Sequence, residues 1–440
     1  MSDLALALWS FPLLLALIFL RLPIGAAMFA LGVAGSALVA ERWTPILAQL
    51  KSLPYDLFSS HTLSIIPLFL LMGRFATRGG LSEALFRAAG AFLGHRRGGL
   101  PMAAIGACAG FGAICGSSLA TAAAMGQVAL PELRRAGVPG AMATGALAAG
   151  GTLGILIPPS VVLVIWAILT EQNIAKLFAA ALVPGLLAAL GYMLTLALWA
   201  RLTPGAAQVA PRAGRAERLR ALVAVWPALA LFATVIGGIY AGLFTPTEGA
   251  AVGAVGAGLI AALRGGLDRR GLADCLAETA AQTGMIFFLL LGAALYNAFL
   301  ASARLPQEAA AWVEALGLSP LAVLLAILGV YLLFGCVMDS LSMILLTAPI
   351  FWPMVAALDF GLTPEETALW FGVLALVVVE VGLITPPVGL NLFVINAMAK
   401  DVPLSRTFAG AAPFVASDLL RAGLLVAFPG LSLALVRWLW

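Results

Sequence analysis

The sequence is short of charge: Asp, Glu, Lys and Arg make up 10% of its 440 residues, against about 25% in soluble domains. Hydrophobic residues reach 62%, and no soluble fold hides that much apolar surface behind so few charges. Histidine occurs twice, at His61 and His95, and the four cysteines (Cys108, Cys115, Cys275, Cys336) include no CxxC pair. A zinc, haem or iron–sulfur centre is therefore not expected, and the cysteines read as reduced packing residues. The three lysines, Lys51, Lys176 and Lys400, include none in a GxxxxGK[ST] loop; this excludes a Walker-type ATPase within the chain. No Ser–Lys, Asp–Asp or metal constellation supports an enzyme, and Ser117 and Ser118 have no base evident in the sequence. The net charge of +4 is carried by arginines in short loops between apolar runs. That pattern follows the positive-inside rule and is no nucleic-acid signal.

What is present is a series of long apolar runs from residue 4 to residue 440. A span needs about 20 such residues, and the runs do not alternate as barrel strands do. The expectation is an all-α polytopic membrane protein. The N-terminus MSDLALALWSFPLLLALIFLR lacks a basic leader and a small-residue cleavage site, and reads as a retained first span.

Motifs repeat at about half the chain length. PIGAAM begins at Pro23 and PTEGAA at Pro246; LFLLMG ends at Gly73 and FFLLLG at Gly292. IPPS (157–160) answers TPPV (385–388), and FAAALVP (178–184) answers FAGAAP (408–413). Arginine pairs at 96–97 and 134–135 bracket segment 99–130. If both pairs are cytoplasmic, that segment is a re-entrant hairpin with its tip near CGSS (115–118). A first repeat over 1–200 then holds spans near 4–20, 24–40, 62–77, a broken helix over 138–169, and 174–200, with the hairpin at about 99–130. Five crossings, an odd number, invert the second half of the chain. The connector 201–221, with five arginines and one glutamate over 201–220, is expected to be cytoplasmic. The second repeat, 222–440, holds spans near 222–243, 247–263 and 280–300, a hairpin at about 320–356, a broken helix over 367–398 and a last span near 417–436.

Two interruptions stand out: GGTLGILIPPS (150–160) and EVGLITPPVGLN (380–391). Proline removes an N–H and leaves a carbonyl free, and a broken helix inside lipid is tolerated only where it lines a cavity or is buried in protein. Matched breaks in two inverted halves point to a binding site at the midplane, with carbonyls for a cation and helix N-termini for an anion. The second hairpin tip, FGCVMDSLS (334–342), carries Asp339 in apolar surroundings, where a charge is expensive and functional by default. Glu380 pairs with an arginine or carries a proton. Glu248 sits at a helix N-terminus, in a structural or a transport role. Arg74 and Arg78 are expected to snorkel to the interface, and the C-terminal RWLW to anchor there.

These motifs resemble the large membrane subunit of tripartite ATP-independent periplasmic (TRAP) transporters, the DctM-like group. The matching stretches are IPLFLLMG (66–73), GHRRGGLPMA (94–103), CGSSLATAAAMG (115–126, where the family usually has SGSSVAT), GGTLGILIPPS, GLFTPTEGAAVG (242–253) and LITPPVGLNLFV (383–394). The resemblance implies an elevator-type, sodium-gradient-driven importer of an organic acid, a carboxylate such as a C4-dicarboxylate or sialic acid. It implies residence in the bacterial inner membrane, a periplasmic solute-binding protein that delivers the substrate, and a separate four-helix small subunit. It implies no cofactor, with sodium ions as the coupling ions. By motif, the first sodium site uses carbonyls of Cys115, Ser118, Gly154, Ile157 and Pro159. The second uses Gly335, Gly382, Thr385 and Pro387, with Asp339 nearby. The substrate is placed near Ser117, Thr152, Ser342, Thr385 and Asn391. The alternative is a stand-alone antiporter or anion exporter with Asp339 or Glu380 as proton relay.

Overall fold

The computed structural model describes residues 2–203, 211–315 and 317–440. It is helical, with no strand among the described residues. Five helices are long and apolar enough to cross a membrane, and seven segments are if two bent pairs each count as one. Asp3–Phe19 and Ile24–Ala40, at 17 residues each, match the lower end of the spanning range of about 17–25. Large apolar side chains face outward in stripes. Leu186, Leu190, Leu194, Leu198 and Leu202 recur every fourth residue along Ile174–Leu202 and are 49–82% exposed, the side a bilayer would cover.

One order of helices occurs twice. Ile24–Ala40, Leu81–Leu93, the pair Gly99–Cys115 and Ser118–Arg135, the pair Gly140–Leu156 and Val161–Leu169, and Ile174–Leu202 make one series. Pro246–Leu263, Leu305–Ala315, the pair Pro320–Gly335 and Ser340–Ala356, the pair Pro364–Gly382 and Leu390–Met398, and Leu404–Ala427 make the other. Between the first and second members stands a bent pair in one half, Thr44–Phe58 and Thr62–Arg78, at 56° to one another. The corresponding segment of the other half is a single 34-residue helix, Arg269–Ser302. The bend falls on SSHTLS (59–64), whose hydroxyls compete for backbone groups; Ser64 Oγ donates to the His61 carbonyl at 2.6 Å, and such bonds offer the chain an alternative to the helix.

Small residues let the halves cross. Ile24–Ala40 packs along Arg269–Ser302, and Pro246–Leu263 along Ile65–Arg78. A Cβ on Gly32 would stand 2.6 Å from the Tyr296 nitrogen, so only glycine permits that approach, the small-residue contact typical of membrane helices. Arg74 and Arg78, expected as interfacial cations, are partly exposed and have acidic partners. They pair with Glu278 (2.6 Å) and Asp274 (3.0 Å) on Arg269–Ser302.

Several boundaries differ from the expectation. Helices Thr44–Phe58, Leu81–Leu93 and Leu305–Ala315 were not anticipated. Thr44–Phe58 is largely exposed, with Ile46 its one buried residue, and its polar residues disguise it as a loop. The last long helix begins at Leu404, not near 417, and a separate helix, Gly430–Leu439, comes after it. Asp418 and Arg421, inside the expected span, are both buried, 2.8 Å apart as an ion pair. Tyr192 on Ile174–Leu202 donates to Asp418 Oδ2 at 2.6 Å, and its ring lies 5.9 Å from the Arg421 guanidinium. Part of the basic connector, 204–210, lies outside the described residues.

Candidate functional site at the hairpin tips

Each hairpin turns in a few residues and restarts its helix on a polar cap. Gly116, at φ +66°, ends the first arm in the left-handed region that glycine enters without steric cost. Ser117 then caps the return arm, its hydroxyl accepting the Ala120 N–H at 3.4 Å. In the second hairpin Asp339 holds the corresponding place. Its Oδ2 accepts the Ser342 N–H at 3.1 Å and its Oδ1 accepts the Ser342 hydroxyl at 2.5 Å. The charge expected to need a functional reason thus has at least a structural one, opposite the positive end of a helix.

The broken spans press against these tips. Gly140–Leu156 and Val161–Leu169 meet at 43° across Ile157–Ser160, and Pro364–Gly382 and Leu390–Met398 are separated by 383–389. The Pro158–Pro159 and Pro386–Pro387 bonds are cis. A Cβ on Gly112 would lie 3.0 Å from the Gly154 nitrogen, one on Gly154 2.6 Å from the Ser117 carbonyl, and one on Gly116 2.9 Å from the Pro159 carbonyl. In the other half, a Cβ on Gly382 would lie 2.8 Å from the Cys336 nitrogen. Gly389 N–H donates to the Cys336 carbonyl at 3.3 Å. Glycine is required because backbone meets backbone. The structure therefore brings Cys115, Ser118, Gly154 and Pro159 together, with Ile157 in the same break, and sets Gly335 against Gly382. Thr385 and Pro387 lie in the second break, where Pro387 is exposed while Pro159 is buried.

The five residues placed near substrate are not gathered in one spot. Ser117 lines a cavity of about 580 Å³ between the two tips and the helices Ile65–Arg78 and Arg269–Ser302, a volume typical of small-molecule sites. Thr152 points elsewhere, bonded to the Ala149 carbonyl (2.7 Å) and the Tyr192 hydroxyl (3.0 Å). The Ser342 hydroxyl is committed to Asp339. That of Thr385 donates to its own i−4 carbonyl, Val381, at 2.6 Å. Asn391 is buried and ties the two broken spans, its Nδ2 donating to the Ala148 carbonyl at 3.2 Å. The cavity wall also carries Arg74, Gln127, Gln282, Ser118, Asp339 and Ser340 among apolar residues such as Leu70, Met285 and Val162. Nothing in the spacing of the two glutamines marks them in the sequence, and Arg74 is read there as an interfacial cation and not as a cavity residue.

Glu380 is the side chain whose position the sequence left open. It is fully buried and pairs with no arginine among the described residues. One carboxylate oxygen accepts the Ser118 hydroxyl and the other accepts the Ser340 hydroxyl, at 2.6 Å for the latter. The first tip, the second tip and the second broken span thus converge on one carboxylate.

Comparison with known proteins adds to this geometry. The family profile described as "Tripartite ATP-independent periplasmic transporter, DctM component" matches residues 11–431. The chain belongs to this family. A DctM-family relative from Pseudomonas aeruginosa, the C4-dicarboxylate TRAP transporter large permease protein DctM, is 42% identical over 89% of this chain and 90% of its own length. The sialic acid TRAP transporter large permease protein SiaM of Vibrio cholerae is 30% identical over 96% of each chain. Among solved structures, the Alcanivorax borkumensis YdaH transporter superposes with a TM-score of 0.66 over 98% of each chain at 18% identity, a likeness of fold. This DctM-family chain is the large permease subunit of a TRAP transporter and a multi-pass protein of the bacterial inner membrane.

Proposed function

We propose that the subunit imports an organic acid, driven by the sodium gradient, receiving it from a periplasmic solute-binding protein and working beside a separate four-helix membrane subunit. The observation that carries this reading is the convergence of both hairpin tips and both broken spans beside one cavity. Backbone oxygens from a tip and a break form a hard donor set, which suits a small hard cation. Two such clusters, one per half, accommodate two sodium ions. In the first, Cys115 contributes its main-chain carbonyl, so its soft thiol is no obstacle.

The cavity suits the anion. Its wall joins the hairpin tips to Ile65–Arg78 and Arg269–Ser302, and it offers amides, hydroxyls and the Arg74 guanidinium among apolar side chains. The hairpins and broken spans pack mainly on one another, while the crossed helices pack mainly among themselves. A cavity on the seam between two such bundles is where an elevator carries its load, the hairpin bundle sliding against the crossed helices. In this reading the second half is inverted relative to the first and the basic connector is cytoplasmic.

Uptake of labelled C4-dicarboxylate, the substrate named for the 42% identical relative, and of sialic acid into proteoliposomes tests the proposal. Accumulation is expected only with an inward sodium gradient and with the small subunit and the binding protein present. Equal uptake with the binding protein omitted would favour a stand-alone carrier and overturn it.

A further inference from the structure

We infer that Glu380 is a positioning residue that latches the two hairpin tips to each other, so that the two sodium sites fill cooperatively. The inference rests on the sodium-driven reading above.

The argument begins with the local match between halves. Ser118 and Ser340 are each the first helical residue of a return arm, directly after the caps Ser117 and Asp339. Position 380 lies six residues before Pro386, and its counterpart six residues before Pro158 is Thr152. The counterpart does not do the same work, since the Thr152 hydroxyl is spent on Ala149 and Tyr192. The two halves therefore do not each carry a private latch. One carboxylate, fully buried, serves both tips, one oxygen to each hydroxyl.

That geometry links the sites physically. Ser118 belongs to the first carbonyl cluster, and Ser340 directly follows Asp339 beside the second. Glu380 itself sits two residues before Gly382, which meets Gly335. A cation that orders the first tip fixes Ser118 and, through it, the Glu380 side chain, which then holds Ser340 in place before the second cation arrives. The second ion avoids an ordering cost the first has already met, which is positive coupling. A coupling of about 5- to 150-fold between two equal sites gives a Hill coefficient of about 1.4 to 1.8. Removing it returns the coefficient to 1 and raises the half-saturating sodium concentration by the square root of the coupling, about 2- to 12-fold.

The test is equilibrium binding of radioactive sodium to the full-length chain in lipid nanodiscs. Wild type should bind with a Hill coefficient above 1.4. Glu380→Ala and Ser340→Ala should bind with a coefficient near 1 and a raised midpoint. Ser340→Ala is the milder change and decides the matter if the glutamate variant does not fold, because its side chain is assigned to neither cation cluster. Glu380→Gln keeps a two-ended bridge, its oxygen accepting one hydroxyl and its amide donating to the other, and should restore a coefficient above 1. Wild-type cooperativity in Ser340→Ala, or a glutamine variant no better than alanine, would overturn the latch and leave sodium transport intact. Absence of sodium binding in wild type would overturn the sodium-driven reading and the latch with it.

Discussion

Substituting Gly154 by alanine sets two opposed effects against one another. Within Gly140–Leu156 the change favours the helix by at most about 1 kcal/mol. Against that, the new Cβ would stand 2.6 Å from the Ser117 carbonyl and 2.8 Å from Thr121 Cβ, with Thr121 Oγ1 nearer still. Neither neighbour can swing away, one being backbone and the other a β-branched side chain held at χ1. Overpacking of this kind costs about 1–3 kcal/mol, so packing outweighs propensity and the first tip is pushed off the break. If the strain falls on the docked tip alone, its docking weakens by about 5- to 140-fold, since 1.4 kcal/mol is a factor of ten. Gly329, inside Pro320–Gly335, is the control: a Cβ there meets nothing within 4 Å. Thermal unfolding of the purified variants and sodium-dependent uptake in proteoliposomes read out the difference. Gly329→Ala should melt at or above wild type and transport normally. Gly154→Ala should melt lower and lose most uptake while still inserting. A Gly154→Ala protein that is stabilised like Gly329→Ala and transports at the wild-type rate would refute the close packing of tip and break.

Two further outcomes concern buried and capped charges. Asp418→Ala leaves the Arg421 guanidinium buried without its partner and should destabilise by about 3–5 kcal/mol; Asp418→Asn with Arg421→Leu should recover much of that, and additive losses in denaturant melts would show that the pair is not coupled. At the second tip, Asp339→Asn retains the helix cap whereas Asp339→Ala loses about 1 kcal/mol with it. If Asp339 serves transport by its charge, both variants lose sodium-coupled uptake but only the alanine melts lower, and an asparagine variant with wild-type uptake would reduce Asp339 to a cap.

The architecture was legible where sequence chemistry is local. Pro-Pro pairs after glycine runs marked both breaks, and the small-residue tips CGSS and GCVMDS marked both turns, because helix interruption depends on the residue at the interruption. The misplaced elements have other causes. Lys400, Asp401 and Arg406 stand at and just before the start of Leu404–Ala427, and the expected last span begins 13 residues late. The acidic partners of Arg74 and Arg78, Glu278 and Asp274, were not legible because they lie about two hundred residues away in sequence. The candidate site divides in the same way. The close approaches at Gly154 and Gly382 and the break at Pro159 stand in legible motifs, since close approach demands glycine and a break favours proline. Hydroxyl positions do not: Thr152, Ser342 and Thr385 are ordinary polar residues whose partners the tertiary structure chooses. Glu380 was visible as a charge out of place, but its two serines come from different hairpins, and no local pattern announces that meeting.

The central claim is that the tips and breaks hold sodium as the coupling ion. Its most direct test is the melting temperature of the purified full-length chain in sodium against potassium or choline at equal ionic strength, since a ligand that binds only the folded state stabilises it by mass action. The account predicts a sodium-selective rise that is diminished in Gly154→Ala and Gly382→Ala. Equal melting in all three cations would contradict it.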